Sequence, residues 1–288
     1  MNEGTLYVVA TPIGNLNDIS PRAREVLEAV DLIAAEDTRV TGRLLMHFGI
    51  KNRQMALHEH NESAMTAKLI SELQGGKSVA LVSDAGTPLI SDPGFRLLRE
   101  AHKAGITVSP IPGASALVAA LSASGLPTDR FAYEGFLPAR QGARQKRLRS
   151  LATETRTIVF FESVHRVAET ISDLVDAFGA DRNAFLGREL TKLYEQCVSA
   201  DLKTIADQLA DGSIPAKGEF VIAVEGAPET STIDATINED RLLKVLTGVL
   251  PGKQAVAVTA ELTGKNRNEL YASMLALKKE SEPGSDPS

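Results

Sequence analysis

The chain has a single cysteine, Cys197, among 288 residues. That excludes an intrachain disulfide and a cysteine-based zinc cluster, and it fits a reducing compartment. No stretch approaches the roughly 20 apolar residues of a membrane helix. The opening residues Met1-Asn2-Glu3-Gly4 carry no basic segment, and the apolar run after them is too short for a secretory signal. A cytoplasmic location and no membrane partner are therefore expected. Familiar catalytic signatures are missing as well. No G-x-G-x-x-G follows the first apolar run, so a conventional dinucleotide site is not expected. There is no G-x-S-x-G elbow and no H-E-x-x-H. Gly76-Lys77-Ser78 resembles the end of a phosphate-binding loop, but Ser71 stands where the first glycine is required. The segment also lies between a helix and a strand, the reverse of the order that loop needs. His58-Glu59-His60 is too sparse to predict a metal, and none is expected.

What is present is an ordinary globular composition, 43% hydrophobic and 24% charged, with a formal net charge of -6. Short apolar runs at Leu6–Ala10, Asp31–Ala35, Val79–Val82 and Ile106–Ser109 alternate with helical patterns. The helices are expected at Arg22–Ala29, Thr41–Phe48, Ser63–Gln74, Gly94–Ala104 and Ser115–Ser124. This alternation predicts an α/β domain over residues 1–125 with a mainly parallel sheet. Leu126-Pro127-Thr128-Asp129 breaks the pattern. A second α/β domain is expected over 126–228, with strands at Phe131–Phe136, Thr157–Phe161, Ala184–Gly187 and Phe220–Val224. Its helices are expected at Val164–Phe178 and Leu202–Ala210. A linker is expected at 228–234, and a small C-terminal helical module with a disordered tail from Glu280 completes 229–288.

Three loops rich in Gly and Pro follow strand candidates: Thr11–Asn15, Ser83–Pro88 and Ile111–Ser115. In an open parallel sheet such loops gather at the carboxyl edge, where ligands bind, and their residue types let backbone approach a ligand closely. Two near repeats separate here. Ser91-Asp92-Pro93-Gly94 reads as a helix start with Asp92 as its cap. Asp84 in Ser83-Asp84-Ala85-Gly86 opens no helix and has no structural task, so a ligand is expected on it. The charge is unevenly spread: between Gly135 and Thr153 there is no acid, but there are Arg140, Arg144, Lys146, Arg147 and Arg149. Lys253, Lys265 and Arg267 form a second basic region. Either patch alone reads equally as a solvated helix face; two on an acidic chain favour a polyanionic partner.

Several further segments fall into a specific order with these loops. They are Leu6–Asn15, Ala35-Glu36-Asp37-Thr38-Arg39, Ser83–Pro88, Tyr133–Pro138, Phe161–Arg166, Arg188–Lys192 and Lys217-Gly218-Glu219. In this order they resemble the tetrapyrrole methylase-like (class III) S-adenosylmethionine methyltransferases. Within that family they resemble the branch that methylates ribose hydroxyls of 16S ribosomal RNA. The resemblance covers residues 5–226, and the helical tail resembles that branch's C-terminal module. It implies two α/β domains with the cofactor, S-adenosyl-L-methionine, in the cleft between them, and a homodimer. It implies methyl transfer to the 2′-hydroxyl of a cytidine in the decoding region of 16S rRNA, on naked rRNA or the small ribosomal subunit.

By the same resemblance the cofactor contacts are Ile13, Ser83, Asp84, Gly86, Thr87, Ala114, Ser115, Glu162 and Leu190. A ribose hydroxyl is a poor nucleophile, so a base or a cation that stabilises the developing oxyanion is expected. Glu36, Asp37, Arg39 and Lys217 qualify, but Glu134 and Glu189 are favoured as base, with Arg188 or Lys192 as the cation. RNA contacts are expected from Arg140, Arg144, Lys146, Arg147, Lys253, Lys265 and Arg267. Two other readings compete: a porphyrin or corrin methylase, disfavoured by the basic stretch and tail, and a non-catalytic RNA-binding protein, disfavoured by the intact loops.

Overall fold

A computed structural model describes residues 4–228 and 239–281. Contacts divide the chain into two units, Met1–Gly226 and Ala227–Ser288. The first unit holds two five-stranded sheets. The first sheet contains β1 (Thr5–Val9), β2 (Leu32–Ala35), β3 (Gln54–Ala56), β4 (Val79–Val82) and β5 (Thr107–Ile111). Its order is β3-β2-β4-β1-β5, with every pair parallel. β2 (Leu-Ile-Ala-Ala) and β4 (Val-Ala-Leu-Val) are buried at every position, as strands covered on both faces must be. Pro110, which cannot donate to a ladder, lies in β5 at the sheet's edge.

Four helices cover this sheet. On one face, α1 (Pro21–Ala29) and α2 (Thr38–His47) contribute Ala23, Leu27 and Leu45 to a core with Val9, Ile33 and Val82. On the other, α3 (Glu62–Gln74) and α4 (Phe95–Lys103) bring Leu69, Leu73, Leu97 and Ala101 against Leu6, Leu32 and Leu81. As expected, Ser20 caps α1, accepting from the Ala23 amide ahead of Pro21.

The second sheet is mixed. It contains β6 (Phe131–Phe136), β7 (Thr157–Ser163), β8 (Asn183–Arg188), β9 (Gln196–Asp201) and β10 (Glu219–Val224), in the order β6-β7-β10-β8-β9. Only β6 and β7 pair in parallel. β3 and β9 were not expected: β3 is only three residues long, and β9 (Gln-Cys-Val-Ser-Ala-Asp) is a half-exposed edge with little apolar signal. The helix α5 (Ala116–Ser124) leaves the first sheet and packs on the second, with Leu117, Ala120 and Leu121 against Val159, Phe185 and Val221. The opposite face is covered by α6 (Gln141–Leu151), α7 (Val167–Phe178) and α8 (Leu202–Ala210).

α6 corrects an expectation. Arg144, read as an RNA contact, is fully buried. Its guanidinium donates to Asp173 at 2.6 Å and to Glu169 at 3.2 Å on α7, and Gln145 also donates to Asp173. Residues 144, 148 and 151 share the inward face of the helix, so a basic composition does not reveal which arginine faces solvent.

The second unit has helices α9 (Glu239–Thr247), α10 (Gly252–Thr263) and α11 (Arg267–Ser281) around Leu243, Val256, Leu270 and Met274. Gly264 supplies the left-handed turn after α10. The expected linker, beyond Pro228, and the expected tail, beyond Ser281, lie outside the described residues. Among the described residues no helix is long and apolar enough to cross a membrane.

The Arg144–Asp173 pair yields a stability test. Asp173→Ala strands a buried guanidinium and is expected to cost about 3–5 kcal/mol, read by urea unfolding. Arg144→Met combined with Asp173→Leu should recover most of it. A loss below ~1 kcal/mol for the single variant would refute a buried, mutually dependent pair.

Candidate active site

The carboxyl ends of the parallel strands converge as the sheet requires. The loops after β1 and β4 are tied by a two-way backbone bridge: Thr11 donates to Gly86 at 2.9 Å, and Gly86 donates back at 3.0 Å. Gly86 sits at φ +81°, open to glycine without strain. Thr87 Oγ1 ties this loop to the one after β5 by donating to the Ala114 carbonyl.

Together these loops and the second sheet enclose a cavity of about 430 Å³. Ile13, Asp84, Gly86, Thr87 and Ser115 line it from the first sheet's side, and Glu162 and Leu190 from the second. Of the expected cofactor contacts, Ser83 and Ala114 do not line it. Ser83 is buried, lines an adjoining cavity and donates, at long range, to the Ala85 carbonyl; Ala114 serves as the acceptor for Thr87. The Glu162 carboxylate is fully occupied by Arg166, Thr170 and the Ser163 amide. Phe136, Phe161, Phe220 and Val221 add an apolar wall that the loop motifs did not announce.

Asp92 is the second correction. It caps nothing. α4 starts at Phe95, and its free amides at Gly94 and Arg96 donate to Glu62 of α3 at 3.1 and 2.8 Å. Asp92 instead lines the cavity with Glu36 and Asp84. The segment carrying it is strained: Leu89 and Ser91 are non-glycine residues at φ +75° and +74°. The Ser91 hydroxyl holds it to Tyr133 of the second sheet at 2.6 Å. Burial pushes all three carboxyls up from their ordinary values; for Asp92, aided by the nearby Glu36 charge, the value is pushed up to about 6. The near repeat of Ser83-Asp84 in Ser91-Asp92 was the signal that could have revealed it.

A second cavity of about 630 Å³ adjoins the first and shares Ile13, Asp84 and Ala85 with it. It is lined by Thr11, Gly14, Arg43 and Lys192, among others. Arg43, on α2, was not singled out by sequence. Lys192 donates to Glu189 at 2.8 Å and to Glu219 at 2.9 Å.

The remaining predicted catalytic residues separate. Glu134 lines neither cavity, and its carboxylate accepts two hydrogen bonds from Arg147. Glu189 lines neither as well; burial raises its carboxyl, but the Lys192 and Glu219 hydrogen bonds outweigh this and hold it below the ordinary range. Arg188 is nearly buried and donates to the Lys217 and Tyr194 carbonyls, fixing the turn rather than facing a ligand. Asp37 caps α2 and pairs with Arg39, and its amide donates to Asp84. Of the predicted RNA contacts, Arg140, Lys146, Lys253, Lys265 and Arg267 are exposed, and exposed Arg147 is engaged with Glu134.

A parallel α/β layer, a second mixed sheet and a carboxylate-lined cavity between their loops define a two-domain class of small-molecule-binding transferase. Residues 5–206 match the family of Tetrapyrrole (Corrin/Porphyrin) Methylases, and residues 234–278 match the RsmI C-terminal HTH domain. The ribosomal RNA small subunit methyltransferase I of Xylella fastidiosa is 52% identical over 268 residues, covering 93% of this chain and 98% of its own. That of Pseudomonas aeruginosa is 52% identical over 279 residues, covering 96% and 98%. The uroporphyrin-III C-methyl transferase of Thermus thermophilus, complexed with S-adenyl homocysteine, shares the fold with a TM-score of 0.53 at 19% identity, covering 77% of this chain and 97% of that one. The chain belongs to the tetrapyrrole methylase family and, within it, to the ribosomal RNA small subunit methyltransferase I group.

The raised Asp92 carboxyl has a measurable consequence. Its folded value lies above the unfolded one, so the folded state holds an extra proton between about pH 4 and pH 6. The stability this supplies is present below the unfolded value and is lost as pH rises through the folded one. Asp92→Asn is therefore expected to raise the thermal midpoint at about pH 7.5, with the gain vanishing near about pH 3.5. No gain at the higher pH would show that ionised Asp92 costs the fold nothing.

Proposed function

We propose that this chain transfers the methyl group of S-adenosyl-L-methionine to the 2′-hydroxyl of a cytidine in the decoding region of 16S rRNA, acting in the cytoplasm as a homodimer. The observation that carries the reading is the carboxyl cluster of Glu36, Asp84 and Asp92 in one cavity, with Asp84 shared by an adjoining cavity that presents Arg43 and Lys192. Family membership and the names of the relatives at 52% identity support the substrate.

The donor suits the first cavity. At about 430 Å³ the cavity is within the range of small-ligand sites. S-adenosylmethionine carries a sulfonium and an ammonium, and three clustered carboxyls, two half-buried and Asp84 more exposed, without a lysine or arginine ion pair favour a cation. Glu36, Asp84 and Asp92 hold its charged groups, and Ile13, Phe136, Phe161 and Leu190 cover its apolar surface. When bound, it supplies a methyl group on a sulfonium that is already a good leaving group.

The second cavity takes the ribose. Asp84, on the common wall, accepts the hydroxyl proton as the oxygen gains its methyl, whereas Glu189 lines neither cavity and its carboxylate is engaged by Lys192 and the Glu219 amide. Arg43 and Lys192 supply positive charge beside the developing oxyanion. Glu189 is a positioning residue that keeps Lys192 turned inward. Exposed Arg140 and Lys146 contact RNA phosphates.

The deciding experiment is methyl transfer from labelled S-adenosylmethionine to small ribosomal subunits from cells lacking this protein, beside naked 16S rRNA and a porphyrinogen. Label recovered as a 2′-O-methylated nucleoside is the expected result. Label only in the porphyrinogen would overturn the substrate. Among variants, Asp84→Asn is expected to slow single-turnover transfer about a hundredfold or more, and Glu189→Gln less than about tenfold. The reverse ordering would return the base to Glu189.

A further inference from the structure

Away from both cavities, α3 and α4 leave a groove of about 640 Å³ between them on the outer face of the first sheet. Ser63, Thr66 and Ile70 line it from α3; Arg96, Arg99 and Lys103 line it from α4. The three cations fall at i, i+3 and i+7, so they form one stripe extending about 10 Å along the helix. Within the groove only Glu100 opposes them. It lies 2.8 Å from Lys103 and 3.6 Å from Arg99, which leaves the lining with a net positive charge. Arg96 forms no side-chain ion pair among the described residues, and its neighbour Glu62 is occupied in capping α4. On a chain of net charge -6 such a concentration requires an explanation other than composition.

A second observation is independent of charge. Thr66 is 6% exposed, and its hydroxyl is buried without a hydrogen-bond partner. A buried hydroxyl left unpaired costs free energy, and few native ones are left so. Thr66 lines a groove that also presents guanidinium groups. Its hydroxyl is enclosed in this structure, and threonine in a helix has a second χ1 rotamer. A turn about χ1 is what would bring it to a phosphate oxygen that the guanidinium groups also bind. The stripe also has a direction. Arg96 follows Asp92 by four residues, so the cations lead outward from the segment that lines the donor cavity.

We propose that the α3–α4 groove binds backbone phosphates of the RNA substrate, with Arg96, Arg99 and Lys103 as the cations and the Thr66 hydroxyl as a donor. The proposal rests on RNA being the substrate. The groove reads no sequence: its contacts are to phosphates, which fix register and orientation.

The test is RNA binding by the full chain against salt concentration, for the parent and for Arg96→Gln/Arg99→Gln/Lys103→Gln. Two to three lost phosphate contacts should flatten the slope of log affinity against log salt by about 1.4 to 2 and weaken binding about tenfold or more at moderate salt. S-adenosylmethionine affinity should be unchanged, which confirms folding. Arg22→Gln/Arg24→Gln/Lys51→Gln removes the same charge from the α1–α2 side of the sheet and should leave the slope near the parent's. Thr66→Val should raise the thermal midpoint, since it deletes an unpaired hydroxyl, yet weaken RNA binding. An unchanged slope in the groove variant, or an equal flattening in the control, would overturn the groove while parental methylation of RNA leaves the function standing. A parent that neither binds nor methylates small-subunit RNA would overturn both.

Discussion

Both cavities depend on one close approach between loops of different sheets. The backbone of Gly14 lies against the turn that follows β8, where an added Cβ would stand 2.4 Å from Lys192 Cγ and 2.9 Å from Thr191 Oγ1. The Asn15 amide donates to Thr191 Oγ1 at 3.1 Å across the same seam. Because Gly14 carries no side chain, Ile13 can form the wall common to both cavities, Leu190 can face the first and Lys192 the second. The turn is held in a costly shape to achieve this. Glu189 and Thr191 have φ of +48° and +67°, strain on the order of 1–3 kcal/mol each. Arg188 to two carbonyls, the Glu219 amide to Glu189 and the Thr191 amide to Glu195 over-determine that shape. The residues that looked catalytic by type are largely the ones that build the turn.

Electrostatics then divides the site. The first cavity gathers Glu36, Asp84 and Asp92 where desolvation disfavours their charge. A cationic group placed among them would favour their charged forms. The second cavity holds two cations, Arg43 and a Lys192 that is paired with Glu189 and Glu219. Asp84 belongs to both; burial raises its carboxyl, while the Asp37 amide and, less strongly, the charges of Arg39 and Arg43 lower it. A group under two such opposed influences is suited to gaining and losing a proton during a reaction.

Much of this was legible in the residues. Gly and Pro punctuation after β1, β4 and β5 marked the loops that meet at the sheet's carboxyl edge, and the lack of any cap role singled out Asp84. The parallel sheet followed from the alternation of short apolar runs with helical patterns, and the complete burial of Val79–Val82 is what such a doubly covered strand requires. What failed had a common cause. Asp92 was read as a cap from its place before Pro93, but capping is a matter of which carboxylate reaches the free amides, and Glu62 does so from another helix. Arg144 was counted with its basic neighbours, but composition does not carry the helical phase, and Asp173 lies 29 residues away in the chain. β9 and Arg43 gave no local signal because their roles are set by tertiary neighbours.

The same reasoning explains why an acidic chain can serve a polyanionic substrate. Net charge sets the long-range field, but affinity for a nucleic-acid backbone comes from counterions released where cations meet phosphates. Acidic groups gathered in the first cavity lie apart from exposed cations such as Arg96 and Arg99 on α4, Arg140 at the start of α6 and Lys146 on it. The sum of charges is therefore a poor guide here. Segregation in space, with carboxyls clustered in one cavity and exposed cations set on the outer helices, would let one fold attract a small cation and a large anion without either competing for the other's site.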